Sequence, residues 1–165
     1  MPNENTIEVS IIIPVLTVHE NLKYLLSSIS RQTLLPSEIV IVDSCLHTEV
    51  KELIDDIHFE IPINYYRTGD RIFPGKARNI GASIAKCEYI AFLDCRTVPF
   101  DDWLRHYSQV IKEQDADVVT GSTKVLVRSK FQWYLRTATY GTRSFNSVPG
   151  TLMEKQLFES TGGFV

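Results

Sequence analysis

Short β-branched runs alternate along the chain with stretches of helical periodicity, from Val9 to Leu93. An apolar run as continuous as Ile11-Ile12-Ile13 indicates a strand that is buried on both faces. Strands that alternate with helices are typical of βαβ units, so the pattern predicts an α/β fold with a mainly parallel sheet flanked by helices. The predicted strands are Val9 to Ile13, Glu38 to Val42, Ile63 to Arg67 and Tyr89 to Leu93.

A helical pattern follows each predicted strand. Apolar positions spaced by three and four residues are Leu22, Leu25, Leu26 and Ile29 in the first helix and Val50, Leu53, Ile54 and Ile57 in the second. Thr17 and Glu20 form a capping box that predicts the start of the first helix. A third helix is predicted from about Lys76 to Ala85, and a fourth from Asp101 to Lys112.

The pattern weakens toward the carboxyl terminus. Strands are predicted at Asp117 to Gly121 and Lys124 to Val127, and the stretch from Phe131 to Phe145 receives no assignment. A short helix is predicted from Lys155 to Thr161, with Gly162 as its cap. Because no linker or repeat interrupts the chain, residues 1–165 are expected to form a single domain.

Composition narrows the class of protein. The 165 residues carry 17 basic and 20 acidic side chains, and a net charge of −3 argues against a nucleic-acid binder. Three cysteines without a CxxC spacing predict neither a disulfide framework nor a zinc ribbon, and they fit a reducing compartment. The polar first residues and Pro14 predict neither a secretory signal nor a membrane span, so a cytoplasmic protein is expected.

Candidate chemistry lies where the predicted strands end. Ligands of parallel sheets bind beyond the carboxyl ends of the strands. Asp43 and Asp94 each end a predicted strand. One such aspartate alone is more often a helix cap or turn former, but two at equivalent ends favour a functional role.

The segment Gly75 to Asn79 opens the third predicted helix with two cations, Lys76 and Arg78. The positive end of a helix favours anions, so phosphates could bind there, and a solvated first turn is the alternative. No GxGxxG motif follows the first strand, and the stretch from Gly69 to Ala77 departs from a P-loop in spacing and in its last residue.

The cysteines and histidines give no catalytic set. Cys45 and Cys95 follow the two strand-end aspartates and would rim one crevice if the first strand lay between theirs. Nothing near them predicts a reactive thiolate. Of the histidines, His47 alone follows a strand closely enough to border the crevice.

Seven segments stand in a characteristic order: Val9 to Val15, Glu20 to Leu22, Ser30 to Thr33, Glu38 to Asp43, Lys76 to Gly81, Glu88 to Asp94 and Asp102 to Leu104. Their order and spacing resemble the N-terminal part of family 2 glycosyltransferases, which have the Rossmann-like GT-A fold. The Gly162-Gly163-Phe164 sequence also resembles a Gly-Gly-Phe motif near the acceptor half of that family.

The resemblance implies transfer of a sugar from a nucleoside-diphosphate donor to a saccharide or lipid-linked acceptor, commonly with inversion of the anomeric configuration. The expected donor is a UDP-sugar. It further implies a role in polysaccharide biosynthesis. In the reaction, Mn²⁺ or Mg²⁺ would bind the diphosphate and a carboxylate base would deprotonate the acceptor hydroxyl. Asp94 would be a metal ligand. The nucleotide-sugar-binding residues that it implies are Pro14, Val15, Asp43, Ser44, Lys76, Arg78, Asp94 and Arg96.

Three departures from the family pattern leave these contacts open. Ser44 replaces the second acid of an Asp-Asp pair, and Arg96 replaces the second acid of the Asp-x-Asp motif. Arg96 is expected either to replace the metal or to face solvent or pair with Asp101 or Asp102. The family's base follows Gly-Gly-Phe, and the sequence given ends two residues after Gly163, so no catalytic residue is assigned and the chain alone is expected to lack the base.

Two hypotheses of different classes follow. The first is the donor-binding domain of a glycosyltransferase, either truncated on its carboxyl-terminal acceptor and base side or a divergent member of the family. The second is a non-catalytic nucleotide-sugar-binding or interaction module that kept the scaffold after losing the motif acids. An unrelated flavodoxin-like domain ranks third.

Overall fold

The computed structural model describes residues 7–17, 20–46, 48–123, 129–139 and 145–165. Strands and helices alternate through the first four strands, as predicted. The elements in chain order are β1 (Val9–Val15), α1 (Glu20–Ser30), β2 (Glu38–Asp43), α2 (Glu49–Asp56), β3 (Ile63–Arg67), α3 (Pro74–Ile84), β4 (Tyr89–Phe92), α4 (Trp103–Gln114), β5 (Val118–Thr123), α5 (Lys130–Thr139), β6 (Phe145–Glu154) and α6 (Lys155–Ser160).

The strands form one six-stranded sheet in the order β3-β2-β1-β4-β6-β5. Strands β1 to β4 are parallel, and β6 runs antiparallel to both β4 and β5. The prediction of a mainly parallel sheet flanked by helices is therefore confirmed. Strand β1 lies between β2 and β4, so the chain order reverses beside it, and in such sheets this is where a crevice opens for ligands.

The sheet is buried on both faces. Along β1, Ile11 and Ile13 pack on the face covered by α1, α2 and α4, while Ile12 packs on the face covered by α3 and α6. All three isoleucines have no exposed surface, which confirms the inference from the continuous apolar run. The helices cover the sheet because their apolar residues recur at helical spacing, so each presents one apolar stripe.

Helix α3 lies unusually close to the sheet at Gly81. A Cβ atom on Gly81 would lie 2.4 Å from Cγ2 of Ile12 and 3.3 Å from Cγ2 of Val42. Glycine is therefore the residue that allows this helix to rest directly on β1 and β2. Because α3 follows the parallel strand β3, its first turn lies at the carboxyl edge of the sheet.

Several predicted boundaries shift by a few residues. Helix α3 begins at Pro74, because a proline at the first helical position has a fitting φ and needs no N–H partner. Strand β1 continues through Pro14 to Val15, where it still pairs with β2. Gly162 has a φ of +80° just after the cap of α6, as predicted.

The carboxyl-terminal third was assigned least well from the sequence. Strand β6 was not predicted, since it contains Pro149 and Gly150 and owes its conformation to pairing with β4 and β5. Helix α5 also lies in the stretch that received no assignment. The strand expected from residue 124 to 127 lies outside the described residues, as do residues 18 and 19, which separate Thr17 from Glu20 in the predicted capping box. Among the described helices, none combines the length and the apolar character needed to span a membrane.

Candidate functional site

The residues singled out from the sequence converge on the carboxyl edge of the sheet. Topology places the ends of β1, β2 and β4 side by side there, together with the first turns of α3. The eight residues at this edge are Pro14, Val15, Asp43, Ser44, Lys76, Arg78, Asp94 and Arg96.

Asp43 uses both carboxylate oxygens inside the protein. Its Oδ1 accepts a hydrogen bond from the backbone N–H of Cys45 at 2.8 Å, and its Oδ2 accepts one from the hydroxyl of Tyr65 at 2.6 Å. The side chain has no exposed surface. Asp43 therefore fixes the turn after β2 and ties it to β3, a role for Tyr65 that the sequence did not predict.

Ser44 secures the end of β1. Its hydroxyl donates to the carbonyl of Val15 at 3.1 Å, and its backbone N–H donates to the same oxygen at 2.8 Å. Ser44 is buried. A serine thus serves as a structural clamp where the resemblance places a second acid.

An open hollow of about 210 Å³ lies beyond β1 and β2. Leu16 and Leu46 give it apolar walls, while Glu49 and Arg71 contribute opposite charges. The remaining lining residues are Thr17, Ser44 and Cys45. Sequence reasoning missed Glu49 and Arg71, although an acid at the first residue of the helix after Asp43 was a signal that could have indicated the former.

An ion pair joins α3 to the end of β4. The Nη2 atom of Arg78 lies 2.5 Å from Oδ1 of Asp94. The guanidinium carbon of Arg78 also lies 5.4 Å from the centroid of the Phe164 ring, a cation–π distance. Arg78 is buried, and its Nε has no hydrogen-bond partner among the described residues, whereas the side chain of Asp94 is 42% exposed. Arg78 is therefore held in place while Asp94 remains accessible.

The Gly-Gly-Phe turn places the ring of Phe164 against the guanidinium of Arg78. The side-chain amide of Asn79 donates to the carbonyl of Phe164 at 2.8 Å, and the N–H of Phe164 donates to Oδ1 of Asn79 at 2.9 Å. Gly163 has a φ of +73°, and a Cβ there would lie 2.6 Å from Oδ1 of Asn79. The ring of Phe164 packs against Phe92 and Phe158 with centroids 5.6 Å apart. The motif thus positions Phe164 beneath Arg78.

Two further cations lie exposed at this edge. Lys76 and Arg96 are exposed, and neither side chain forms a hydrogen bond or ion pair with another described residue. Pairing of Arg96 with Asp101 or Asp102, one of the sequence alternatives, is not seen: Asp101 instead lies 3.8 Å from Arg31. Helix α3 has no acid in its first turn and no capping side chain, so its positive end is uncompensated.

The thiols of Cys45 and Cys95 border the end of β1 from its two sides, as expected once β1 lies between β2 and β4. The Sγ of Cys95 donates to the carbonyl of Pro14 at 3.4 Å. Burial, together with the neighbouring carboxylates, raises the pKa of Cys45 to about 12 and the pKa of Cys95 to about 11. Both are protonated at neutral pH, which agrees with the absence of a thiolate role. His47 lies outside the described residues.

The donor set does not fit a resident divalent cation. Within the described ranges, no three His, Cys, Asp or Glu side chains cluster as metal ligands. Oδ1 of Asp94 is engaged by Arg78, and the position two residues later is a cationic Arg96. Mg²⁺ and Mn²⁺ prefer oxygen ligands, which a guanidinium cannot provide.

Similar proteins are found by both sequence and structure. The chain is 27% identical over 99 residues to a hyaluronan synthase of Pasteurella multocida, covering 59% of this chain and 10% of that protein. It is 28% identical over 123 residues to a chondroitin synthase of Escherichia coli, covering 73% of this chain and 18% of that protein. The chain therefore spans less than a fifth of the length of either relative.

Solved structures share the fold at low sequence identity. The Staphylococcus aureus TarS 1–349 structure in complex with UDP-GlcNAc has a TM-score of 0.71 and 18% identity, covering 94% of this chain and 47% of that chain. The mannosyltransferase PcManGT from Pyrobaculum calidifontis, in complex with GDP-Man and Mn²⁺, has a TM-score of 0.71 and 18% identity, covering 98% and 48% of the respective chains.

The family profile described as "Glycosyl transferase family 2" matches residues 10–164, nearly the whole chain. Its match agrees with the order of sheet and helices and with the seven sequence segments that first indicated the family. The chain belongs to glycosyl transferase family 2 and has the GT-A fold.

Proposed function

We propose that this chain is the donor-binding domain of an inverting glycosyltransferase that uses a UDP-sugar. The observation that carries the proposal is the convergence, at one edge of the sheet, of an apolar-walled hollow and the cationic start of α3. Two of the solved neighbours hold UDP-GlcNAc and GDP-Man, which supports a nucleotide sugar as the ligand of this fold.

The nucleobase occupies the hollow beyond β1 and β2. Leu16 and Leu46 offer apolar surface to the faces of a planar ring, and Glu49 offers a carboxylate to a ring N–H. Uracil presents one such N–H between two carbonyl oxygens, and Arg71 supplies donors for a carbonyl. Asp43 and Ser44 act beneath the base by holding the turn that carries Cys45 and Leu46.

The diphosphate lies at the first turn of α3, beside Lys76. The N–H groups that begin a helix have no partner inside it and point toward an incoming anion. Asp94, which remains 42% exposed beside Arg78, accepts hydroxyl donors of the ribose or the sugar. Pro14 and Val15 end β1 beneath this crevice, and Val15 has no exposed surface.

Transfer follows from this placement as a single displacement. The acceptor hydroxyl oxygen bonds to the anomeric carbon while the bond from that carbon to the phosphate oxygen breaks. The electron pair leaves with the nucleoside diphosphate, the hydroxyl proton passes to a carboxylate base, and the anomeric configuration inverts. The cations at α3 stabilise the charge that develops on the leaving group. We assign the base to none of the described residues and no step to a divalent cation.

The acceptor is a saccharide or a lipid-linked saccharide. Two of the relatives found by sequence carry the names of polysaccharide synthases, which supports a role in polysaccharide biosynthesis. The free thiols of Cys45, Cys87 and Cys95 fit a reducing compartment, and we place the reaction in the cytoplasm, with residues 1–165 acting as one domain.

A non-catalytic nucleotide-sugar-binding module is the second candidate. The observation in its favour is that Ser44 and Arg96 occupy the positions where the family pattern has acids. Both candidates bind nucleotide, and only the first transfers sugar from the donor to an acceptor.

Calorimetric titration with UDP tests the shared part of the proposal. We expect binding, and we expect Lys76→Ala to weaken it by about tenfold, the loss of one charge-assisted contact. Lys86→Ala is the matched control, because Lys86 is an exposed lysine just after the opposite end of α3. Equal affinities of both variants and the parent chain would place the diphosphate elsewhere, and sugar transfer by the whole enzyme separates the two candidates.

A further inference from the structure

The chain after β4 carries one cation, Arg96, where the family pattern carries a second acid. Asp94 is held at 2.5 Å by Arg78, and Arg96 follows two residues later. Two residues of chain span about 7 Å at most, so Arg96 lies close to the ion pair. A dication bound by Asp94 would have to approach the same carboxylate as a fixed guanidinium, against the repulsion of two arginines.

Arg78 is not free to leave. It is buried beneath the crevice, its guanidinium stacks on Phe164, and Asn79 fixes that phenylalanine through both backbone groups. Burial makes separation of Arg78 from Asp94 costly, because a charge without its partner would remain in a poorly solvated place. The burial of Arg78 thus favours retention of the ion pair at this edge.

Arg96, by contrast, is available. It is exposed and forms no ion pair with any described carboxylate. A guanidinium presents donors in a fixed fork that fits two phosphate oxygens, and it stays charged at all working pH values. Lys76, on the first turn of α3, adds a second exposed charge that forms no ion pair with any described residue.

We propose that Arg96 and Lys76 neutralise the diphosphate of the donor in place of a divalent cation, so that nucleotide binding needs no metal. The inference rests on the proposed function, since it takes for granted that a nucleoside diphosphate lies at this edge. Two cations match the two negative charges of the diphosphate in a nucleotide sugar. The same two groups then stabilise the leaving diphosphate.

The test is calorimetric titration of the full chain with UDP in EDTA and again with Mn²⁺ or Mg²⁺. We expect binding in EDTA with an affinity that added metal changes by less than about threefold, within the scatter of small electrostatic effects. Arg96→Ala should weaken UDP binding by about tenfold or more. Arg105→Ala is the control, because Arg105 is an exposed arginine on α4.

The outcomes distinguish a failure of the metal replacement from a failure of the proposed nucleotide site. Binding that appears only with Mn²⁺ or Mg²⁺, or a UDP affinity unchanged in Arg96→Ala, overturns the replacement of the metal but leaves the nucleotide site intact. Absence of UDP binding with and without metal overturns the proposed function and this inference with it. An equal loss for uridine, which carries no phosphate, in Arg96→Ala would show that Arg96 does not act on the diphosphate, and that also overturns the inference.

Discussion

Asn79 binds Phe164 through both of its backbone polar groups, at 2.8 and 2.9 Å, across 85 residues of sequence. This two-point contact fixes the Gly-Gly-Phe turn on α3 and holds the aromatic ring beneath Arg78. Since Arg78 in turn binds Asp94, one asparagine connects the carboxyl-terminal turn to the end of β4. The family motifs are thus parts of a single packed arrangement.

Replacement of Asn79 is expected to lower stability. Asn79→Ala removes two hydrogen bonds and leaves the backbone of Phe164 without its partners, so the free energy of unfolding should fall by about 1–3 kcal/mol. Urea denaturation measures the change. Ser83→Ala, on an exposed position of the same helix, should change stability by about 0.5 kcal/mol or less. Equal stability of Asn79→Ala and the parent chain would contradict the two-point contact.

The close approach of α3 to the sheet makes Gly81 sensitive to a single methyl group. In Gly81→Ala the new Cβ would meet Cγ2 of Ile12 at 2.4 Å, so the helix must shift, at a cost of about 1–3 kcal/mol in unfolding free energy. Ile12→Ala removes the opposing atom. The double variant should therefore lose less stability than the sum of the single variants, and a purely additive result would mean that the two residues do not collide.

The raised thiol pKa values predict a loss of stability in alkali. Cys45 and Cys95 ionise near pH 9.0 in the unfolded chain but have pKa values of about 12 and 11 when folded. The folded state thus binds more protons above pH 9, so stability falls as the pH rises from about 8.5 toward 12. Thermal unfolding measured against pH should show a shallower alkaline decline for Cys45→Ala. The difference between the two proteins should stay constant from pH 6 to 8, where both states keep the thiol protonated, and an unchanged alkaline slope would refute the assignment.

Glu49 is expected to contribute to nucleotide affinity through the base. Glu49→Gln retains the size of the side chain but replaces a charged acceptor with a neutral one, which should weaken UDP binding by about fivefold. Glu52→Gln is the control, because Glu52 lies one turn further along α2 and accepts from Thr48 instead of lining the hollow. Calorimetry with UDP compares the two variants. Equal affinities would remove Glu49 from the base site.

The sequence by itself determined the alternation of strands and helices and the edge at which chemistry gathers. Burial can be recognised in the local sequence. A strand covered on both faces has an unbroken run of apolar residues, and a helix with one covered face has apolar residues every three to four positions. The apolar run from Ile11 to Ile13 predicted a buried strand, and Asp43 and Asp94 showed where two further apolar runs end. The order of motifs was enough to indicate the family.

Only the tertiary structure decided which side chains contact one another at the site. Tyr65, on a neighbouring strand, donates a hydrogen bond to Asp43, and Arg78 forms an ion pair with Asp94. Glu49, at the start of α2, lines the hollow. Strand β6 likewise exists through pairing with β4 and β5, and its polar, proline-containing sequence gives no local signal. The physical reason is that periodicity records whether a residue is buried, whereas the partner it meets depends on packing between segments far apart in the chain.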